Sequence, residues 1–305
     1  LGYRKYLVLI FFIVACSLSY GQNGLNKFLK PSDTLNVKRQ NTVLLSEGLL
    51  ATATLAALNQ LWYADYPQSK FHLINDNQEW LQVDKLGHAY SSYHLGRFSS
   101  EALKWSGASQ RKQLLYGAGV GFAFLTTVEL MDGFSSQWGF SMGDIVANAS
   151  GTALYVSQEL LWKEQRIQPK FSFHRTQYAP IRPTVLGGNL AEEILKDYNG
   201  QTYWLSVNLH SFAKASKIPK WLNLAVGYGA DGMLTGNGDY SDKNSLSTLG
   251  RKRQFYLSFD VDLTKLDTNS PFLKTFFTVF NSIKIPAPSI EYSLNEGFRT
   301  HILYF

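Results

Sequence analysis

Phe255-Tyr256-Leu257-Ser258-Phe259-Asp260-Val261-Asp262-Leu263-Thr264 is the stretch that decides the fold class. Phe255, Leu257, Phe259, Val261 and Leu263 alternate with Tyr256, Ser258, Asp260, Asp262 and Thr264. Successive side chains of a strand point to opposite faces, so a period of two predicts a strand with two unlike sides. Tyr203 to Phe212 repeats the pattern, Tyr203, Leu205, Val207 and Leu209 alternating with Trp204, Ser206, Asn208 and His210. Trp221 to Ala230, Ile290 to Ser293 and Thr300 to Phe305 predict further strands. Between them, Asp231 to Arg251 reads as a polar loop. Phe272 to Ile283 presents an apolar helical face of Phe272, Phe276, Val279, Phe280 and Ile283. The last residue, Phe305, is an aromatic on a strand, as in many outer-membrane barrels, but five or six strands fall short of the roughly eight of the smallest barrels.

Moving toward the N-terminus, the period changes near residue 167 from two to that of a helix. Thr42–Tyr63, Lys85–Trp105, Gln113–Met131 and Ser141–Trp162 predict four helices, separated by a mixed loop over 64–83, the break Gly107-Ala108-Ser109, and an aromatic, Gly- and Ser-rich loop from Gly133 to Phe140. The expected fold is α+β: an apolar bundle of about four helices over 43–166, followed by a strand-rich antiparallel region over 167–305. Gly117 and Gly121 share one face of the third helix, which lets a neighbouring backbone approach closely. The run from Leu114 to Val128 carries no charge, but its about fifteen residues fall short of the roughly 20 that a spanning helix needs. A compact bundle that touches or partly enters a membrane is expected ahead of a set of true spans.

The chain has 305 residues, 45% of them hydrophobic and 14% aromatic, enough to build a core. The net charge of +6 is scattered, without basic runs interleaved with aromatics, so nucleic acid is not an expected partner. Residues 1–21 read as a signal peptide: Arg4 and Lys5 begin it, Leu7 to Ala15 form a short apolar region, and Ser19-Tyr20-Gly21 predicts cleavage before Gln22. Ile13-Val14-Ala15-Cys16 offers the alternative of a lipobox with Cys16 lipidated. With one cysteine, no disulfide is possible within the chain. Residues 22–42 form a polar linker. The expected location is the periplasm or the periplasmic face of the outer membrane.

Polar residues interrupt the apolar helices at few places. Asp84 and His88 are four apart, as are Asp144 and Asn148, so each pair shares a helix face. Glu129 closes the uncharged run that begins at Leu114. Carboxylates and an imidazole among apolar helices are costly unless they meet, which predicts one shared cluster. Each residue also has a plainer role. Asp84 would cap the second helix, Ser141 with Asp144 would form a capping box, Asn148 would bond across the bundle, Glu129 would lie exposed at a helix end, and His88 would be packed and satisfied. Taken together, Asp84, His88, Glu129 and Asp144 are the candidate catalytic residues, and Lys85, Asp132, Ser141 and Asn148 a structural polar cluster. The residues could hold a divalent metal, act as an acid–base pair or form a buried lock, and no metal motif, P-loop, dinucleotide fingerprint or Gly-x-Ser-x-Gly selects among these. Which cofactor or metal binds, if any, stays open.

Asp84-Lys85-x-x-His88, Glu129 with Asp132, and Trp138-Gly139-Phe140-Ser141 followed by Asp144 and Gly151 resemble the YfiM-like domain of unknown function, a family of predicted periplasmic lipoproteins. The same order, with Asn148, is more distantly similar to VanZ-like membrane proteins. The resemblance spans roughly residues 43 to 162 and implies an all-helical envelope domain without implying a reaction. The long strand-rich half departs from it. Two classes of function follow. In one, the protein is an envelope scaffold or lipid-contacting component with a buried polar lock, its partners membrane lipid or envelope components. In the other it is an envelope hydrolase or transferase, with or without a metal, on a lipid-linked or cell-wall substrate. A lock is expected to be sealed and fully paired, an enzyme to open on a cleft.

Overall fold

In a computed structural model of the chain, the described residues are 24–64, 66–214, 217–238, 250–294 and 296–305. The expected signal segment and most of the polar loop after Asp231 lie outside them. Helices fill the N-terminal half and an antiparallel six-stranded sheet the C-terminal half.

Four long helices run up and down: α1 (Val37–Leu58), α2 (Val83–Trp105), α3 (Ala118–Gly133) and α4 (Met142–Leu161). α2 is the central one, packed against both α3 and α4, and it buries Val83, Tyr93 and Leu103. Gly117 and Gly121 permit the close crossing with α2: a Cβ at Gly117 would lie 2.6 Å from Ser100 Cα, and one at Gly121 2.1 Å from the Ser92 carbonyl. The helical segment over Gln110–Asp132 is longer than the uncharged run within it, and this segment and α1 are each long and apolar enough to cross a membrane. α1 buries only Val43 and leaves Leu44, Leu45, Leu49 and Leu50 exposed.

A two-residue parallel pair, β1 (Leu73–Ile74) with β2 (Phe140–Ser141), ties the loop before α2 to the start of α4. The main sheet is a meander in chain order: β3 (Ile167–Phe173), β4 (Gln201–Asn208), β5 (Leu222–Asp231), β6 (Lys252–Val261), β7 (Ala287–Ser293) and β8 (Gly297–Tyr304). Helix α5 (Pro271–Phe280) leads from β6 toward β7. After α5 the chain returns to the free edge of β3. Phe171 N–H donates to the Ser282 carbonyl at 3.0 Å and Lys284 N–H to the Phe171 carbonyl at 2.9 Å, so the sheet rolls around one of its faces.

That enclosed face is the polar one. Ser206, Asn208, Asn223 and Asp260 are buried, and Lys170 bonds Asp260 at 2.7 Å with both side chains fully enclosed. Lys284 sits beside them and donates to the Phe259 and Ile285 carbonyls, each at 2.7 Å. The opposite residues of the same strands, Leu205, Val226, Phe255, Leu257, Phe259 and Ile290, are exposed. On its helix-facing margin, the apolar side of β3 and β4 meets α2: Tyr90 packs on Phe171 and Tyr203, and His94 Nε2 lies 2.8 Å from the Pro169 carbonyl.

Several expected boundaries move. α1 begins at Val37, inside the expected linker, because Asn36 caps it by accepting from Arg39 N–H. The strand expected to run to Phe212 stops at Asn208, whose side chain caps a short helical turn over Leu209–Phe212. β3 was not singled out, since its polar residues Gln168, Lys170 and Ser172 bond inside the rolled sheet. Asp84 is not the cap of α2. That position belongs to Gln82, in the left-handed region at φ 67, and Asp84 lies in the first turn, where a carboxylate suits the helix dipole.

Candidate functional site

The candidate residues come from helix ends that the up-and-down bundle brings together. Asp84, Lys85 and His88 lie in the first turns of α2, Asp144 and Asn148 in those of α4, and Glu129 and Asp132 in the last turns of α3. Trp80, Leu81 and Gln82 all take positive φ just before α2, a rare run for residues with side chains, and this tight turn sets Trp80 at 5.1 Å from the Tyr198 ring.

Two half-sites share Asp144. In the first, Lys85 Nζ lies 2.8 Å from Asp76 Oδ2, 3.0 Å from Asp84 Oδ2 and 2.9 Å from Asp144 Oδ1. Ser141 Oγ donates to Asp76 Oδ1 at 2.6 Å and accepts from Asp144 N–H at 3.2 Å. The expected capping box is therefore half made. Its return bond comes from elsewhere, as Glu129 Oε2 accepts from Ser141 N–H at 3.2 Å.

In the second half-site, His88 Nε2 lies 3.7 Å from Glu129 Oε1 and 3.7 Å from Asp144 Oδ1. His88 Nδ1 is 3.1 Å from Asn148 Oδ1, so the bond across the bundle holds the imidazole. Because an amide oxygen only accepts, this contact calls for a proton on Nδ1, while Nε2 faces the two carboxylates. Glu129 is 2% exposed, so the plainer reading of an exposed helix end does not hold for it. Asp132 accepts from Tyr63 Oη at 2.7 Å.

Burial dominates the electrostatics. It pushes the Glu129 carboxyl up to about 9, with the charges of Asp144 and Asp132 adding to the effect. Burial likewise raises Asp132 to about 7 and Asp84 to about 6, Lys85 opposing the shift at Asp84. Asp144 is also raised by burial, against the pull of His88 and Lys85. Burial alone would lower Lys85, but Asp84, Asp76 and Asp144 outweigh it and raise the ammonium. Asp76 stays below the usual range because its bonds to Lys85 and Ser141 overcome burial.

The cluster forms one wall of a cleft of about 280 Å³. His88, Glu129, Asp132 and Asp144 line it, facing the rings of Trp62, Trp80, Trp138 and Tyr198. Asp76 and Tyr63 complete the arrangement and were not singled out from sequence. Asp76 sits in the turn Asn75-Asp76-Asn77, whose composition reads as an ordinary loop, and Tyr63 closes an aromatic stretch that reads as a helix end.

A family model described as "Predicted periplasmic lipoprotein (DUF2279)" matches residues 74–159. The matched segment holds both half-sites, from Asp76 through Asn148, and leaves Tyr63 and the whole six-stranded sheet outside. Its description agrees with an exported, periplasmic protein and with the lipoprotein character of the resemblance. No curated protein and no solved structure matches the chain.

Proposed function

We propose, with the match to predicted periplasmic lipoproteins as the premise, that this exported protein works against a lipid surface and uses its cleft for acid–base chemistry. The reaction class is hydrolysis or group transfer on a lipid-linked or cell-wall substrate. The observation that carries this reading is that His88, Glu129 and Asp144 meet beneath an open cleft instead of inside a sealed core. An oriented imidazole nitrogen and a carboxyl 3.7 Å apart are close enough for one water to touch both, the arrangement that general acid–base activation of water needs. Support for a lipid surface comes from the sheet, whose polar residues are enclosed and whose apolar residues face outward, as in membrane-embedded strands. An outer-membrane placement rests on that polarity alone.

A specific observation favours a structural role for the other half of the cluster. Lys85 is held by three carboxylates at 2.8–3.0 Å, as expected of a brace between α2, α4 and the loop carrying Asp76. The brace and the cleft are thus parts of one cluster with separate duties.

The test compares melting temperature, envelope abundance and complementation of a deletion strain for Glu129→Gln. Glutamine keeps an acceptor for Ser141 N–H, so the expected result is a stable, normally abundant and inactive protein. Full complementation by this variant would retire the reactive cleft and leave the scaffold reading.

A further inference from the structure

We propose that His88 Nε2, Glu129 Oε1 and Asp144 Oδ1 bind one divalent first-row cation of the Zn²⁺ or Mn²⁺ kind. The inference rests on the reactive-cleft reading for its chemical purpose, though not for its geometry; a bound cation would take over the activation of water from the His88 nitrogen.

The three ligand atoms lie within 4.8 Å of one another, and His88 Nε2 is 3.7 Å from each oxygen. Ligands about 2.1 Å from a tetrahedral cation stand about 3.4 Å apart, close to the 3.7 Å between His88 Nε2 and each oxygen. The imidazole is already turned for it. Asn148 Oδ1 engages Nδ1, the outer-shell contact that fixes the tautomer of a metal-binding histidine and leaves Nε2 free to coordinate.

A second, independent observation concerns unmet bonding capacity. Glu129 is 2% exposed; its Oε2 accepts from Ser141 N–H and its Oε1 lies 3.7 Å from His88 Nε2. Asp144 Oδ1 is buried without a hydrogen-bond donor and meets Lys85 and His88 only as ion-pair contacts, while its Oδ2 accepts from Lys85 Nζ at 3.0 Å. A buried acceptor without a donor, such as Asp144 Oδ1, is costly unless a donor or a positive centre meets it.

The donor set selects the class of ion. One imidazole with two carboxylates suits Zn²⁺ or Mn²⁺ better than Mg²⁺ or Ca²⁺, which prefer oxygen alone. The fourth direction opens on the cleft, so a bound water there would meet a substrate entering past the aromatic wall.

The test uses the full chain, purified and stripped with chelator, titrated calorimetrically with Zn²⁺, Mn²⁺ and Mg²⁺. Wild type is expected to take up one equivalent of Zn²⁺ or Mn²⁺ with a rise in melting temperature, and to prefer either over Mg²⁺. His88→Ala and Asp144→Asn should abolish this uptake, and Asn148→Ala should weaken it about 10–100-fold by freeing the imidazole. Because Asp144 also holds Lys85, a variant that fails to fold is replaced by X-ray absorption on the wild-type Zn²⁺ complex, which should show one imidazole in the first coordination sphere. No uptake by folded wild type, uptake undiminished in folded His88→Ala, or a spectrum lacking imidazole overturns the proposal. Metal uptake is read in vitro and the reactive cleft in cells, so each can fail alone. A protein that binds the cation but whose Glu129→Gln variant complements fully retains this site and loses the acid–base reading.

Discussion

Lys85 and Glu129 show two ways of placing a titratable group among apolar helices. Lys85 is 13% exposed and is surrounded by carboxylates that its charge stabilises. Glu129 is more deeply buried, gains one backbone hydrogen bond, and is otherwise among like charges. Their substitutions should therefore diverge. Lys85→Met removes the counter-charge from Asp76, Asp84 and Asp144 together, and truncating one partner of a buried ion pair typically costs about 3–5 kcal/mol. We expect a loss of that size in denaturant unfolding, whereas Glu129→Gln stays within about 1 kcal/mol of wild type. Equal losses in the two variants would mean that the cluster is a single brace. Asp84, Lys85, His88, Glu129, Asp144 and Asn148 were legible in the sequence because polar groups at helical spacing stand out against apolar surroundings. Asp76 was not, because a loop aspartate is ordinary until the β1–β2 pair carries it to the cluster.

At the scale of elements, the glycines of the third helical segment separate local propensity from tertiary packing. Gly119 has nothing within 4 Å of where its Cβ would be, whereas a Cβ on Gly121 would stand 2.1 Å from the Ser92 carbonyl of α2. Alanine favours a helix over glycine by roughly 1 kcal/mol. Gly119→Ala should realise much of that gain, while Gly121→Ala should lose about 1–3 kcal/mol because the backbones of α2 and α3 must separate. The two variants, measured by thermal unfolding under one condition, are expected to shift the midpoint in opposite directions. A stabilised Gly121→Ala protein would show that the close crossing is not required. The helices were legible from apolar runs and breaks, but their ends were set by caps that composition does not single out: Asn36 for α1, Asn208 for the turn ending β4, and the left-handed turn at Trp80–Gln82 before α2.

Across the whole molecule, the sheet reverses the polarity of a soluble core. Phe259 and Asp260 are neighbours in β6, yet Phe259 is 55% exposed and Asp260 1%. If the outward face meets lipid, Phe259→Asp should leave unfolding within about 0.5 kcal/mol of wild type, as surface substitutions usually do, while reducing flotation with phosphatidylethanolamine–phosphatidylglycerol vesicles. Asp260→Ala should do the reverse. It strands Lys170 beside Lys284 and is expected to cost about 3–5 kcal/mol. Wild-type protein that stays out of the floating fraction would sink the lipid-facing reading of the sheet. The burial of polar residues on one side is a property of the roll. Once the segment 282–284 pairs with β3, the interior is narrow and becomes filled with hydrogen-bonded groups such as Asn223, whose amide donates to Ser206 at 2.8 Å.

The sequence by itself determined what repeats locally. Alternation from Phe255 to Thr264 required a two-faced strand, apolar runs required helices, and fourfold spacing placed Asp84 with His88 and Asp144 with Asn148, because backbone geometry fixes where successive side chains point. Only the tertiary structure decided which face of the sheet is enclosed, since alternation is the same for either choice. It also decided that His88, Glu129 and Asp144 converge beneath a cleft. That meeting depends on three helix ends separated along the chain, and it is set by how closely α2, α3 and α4 can cross, which no local pattern encodes.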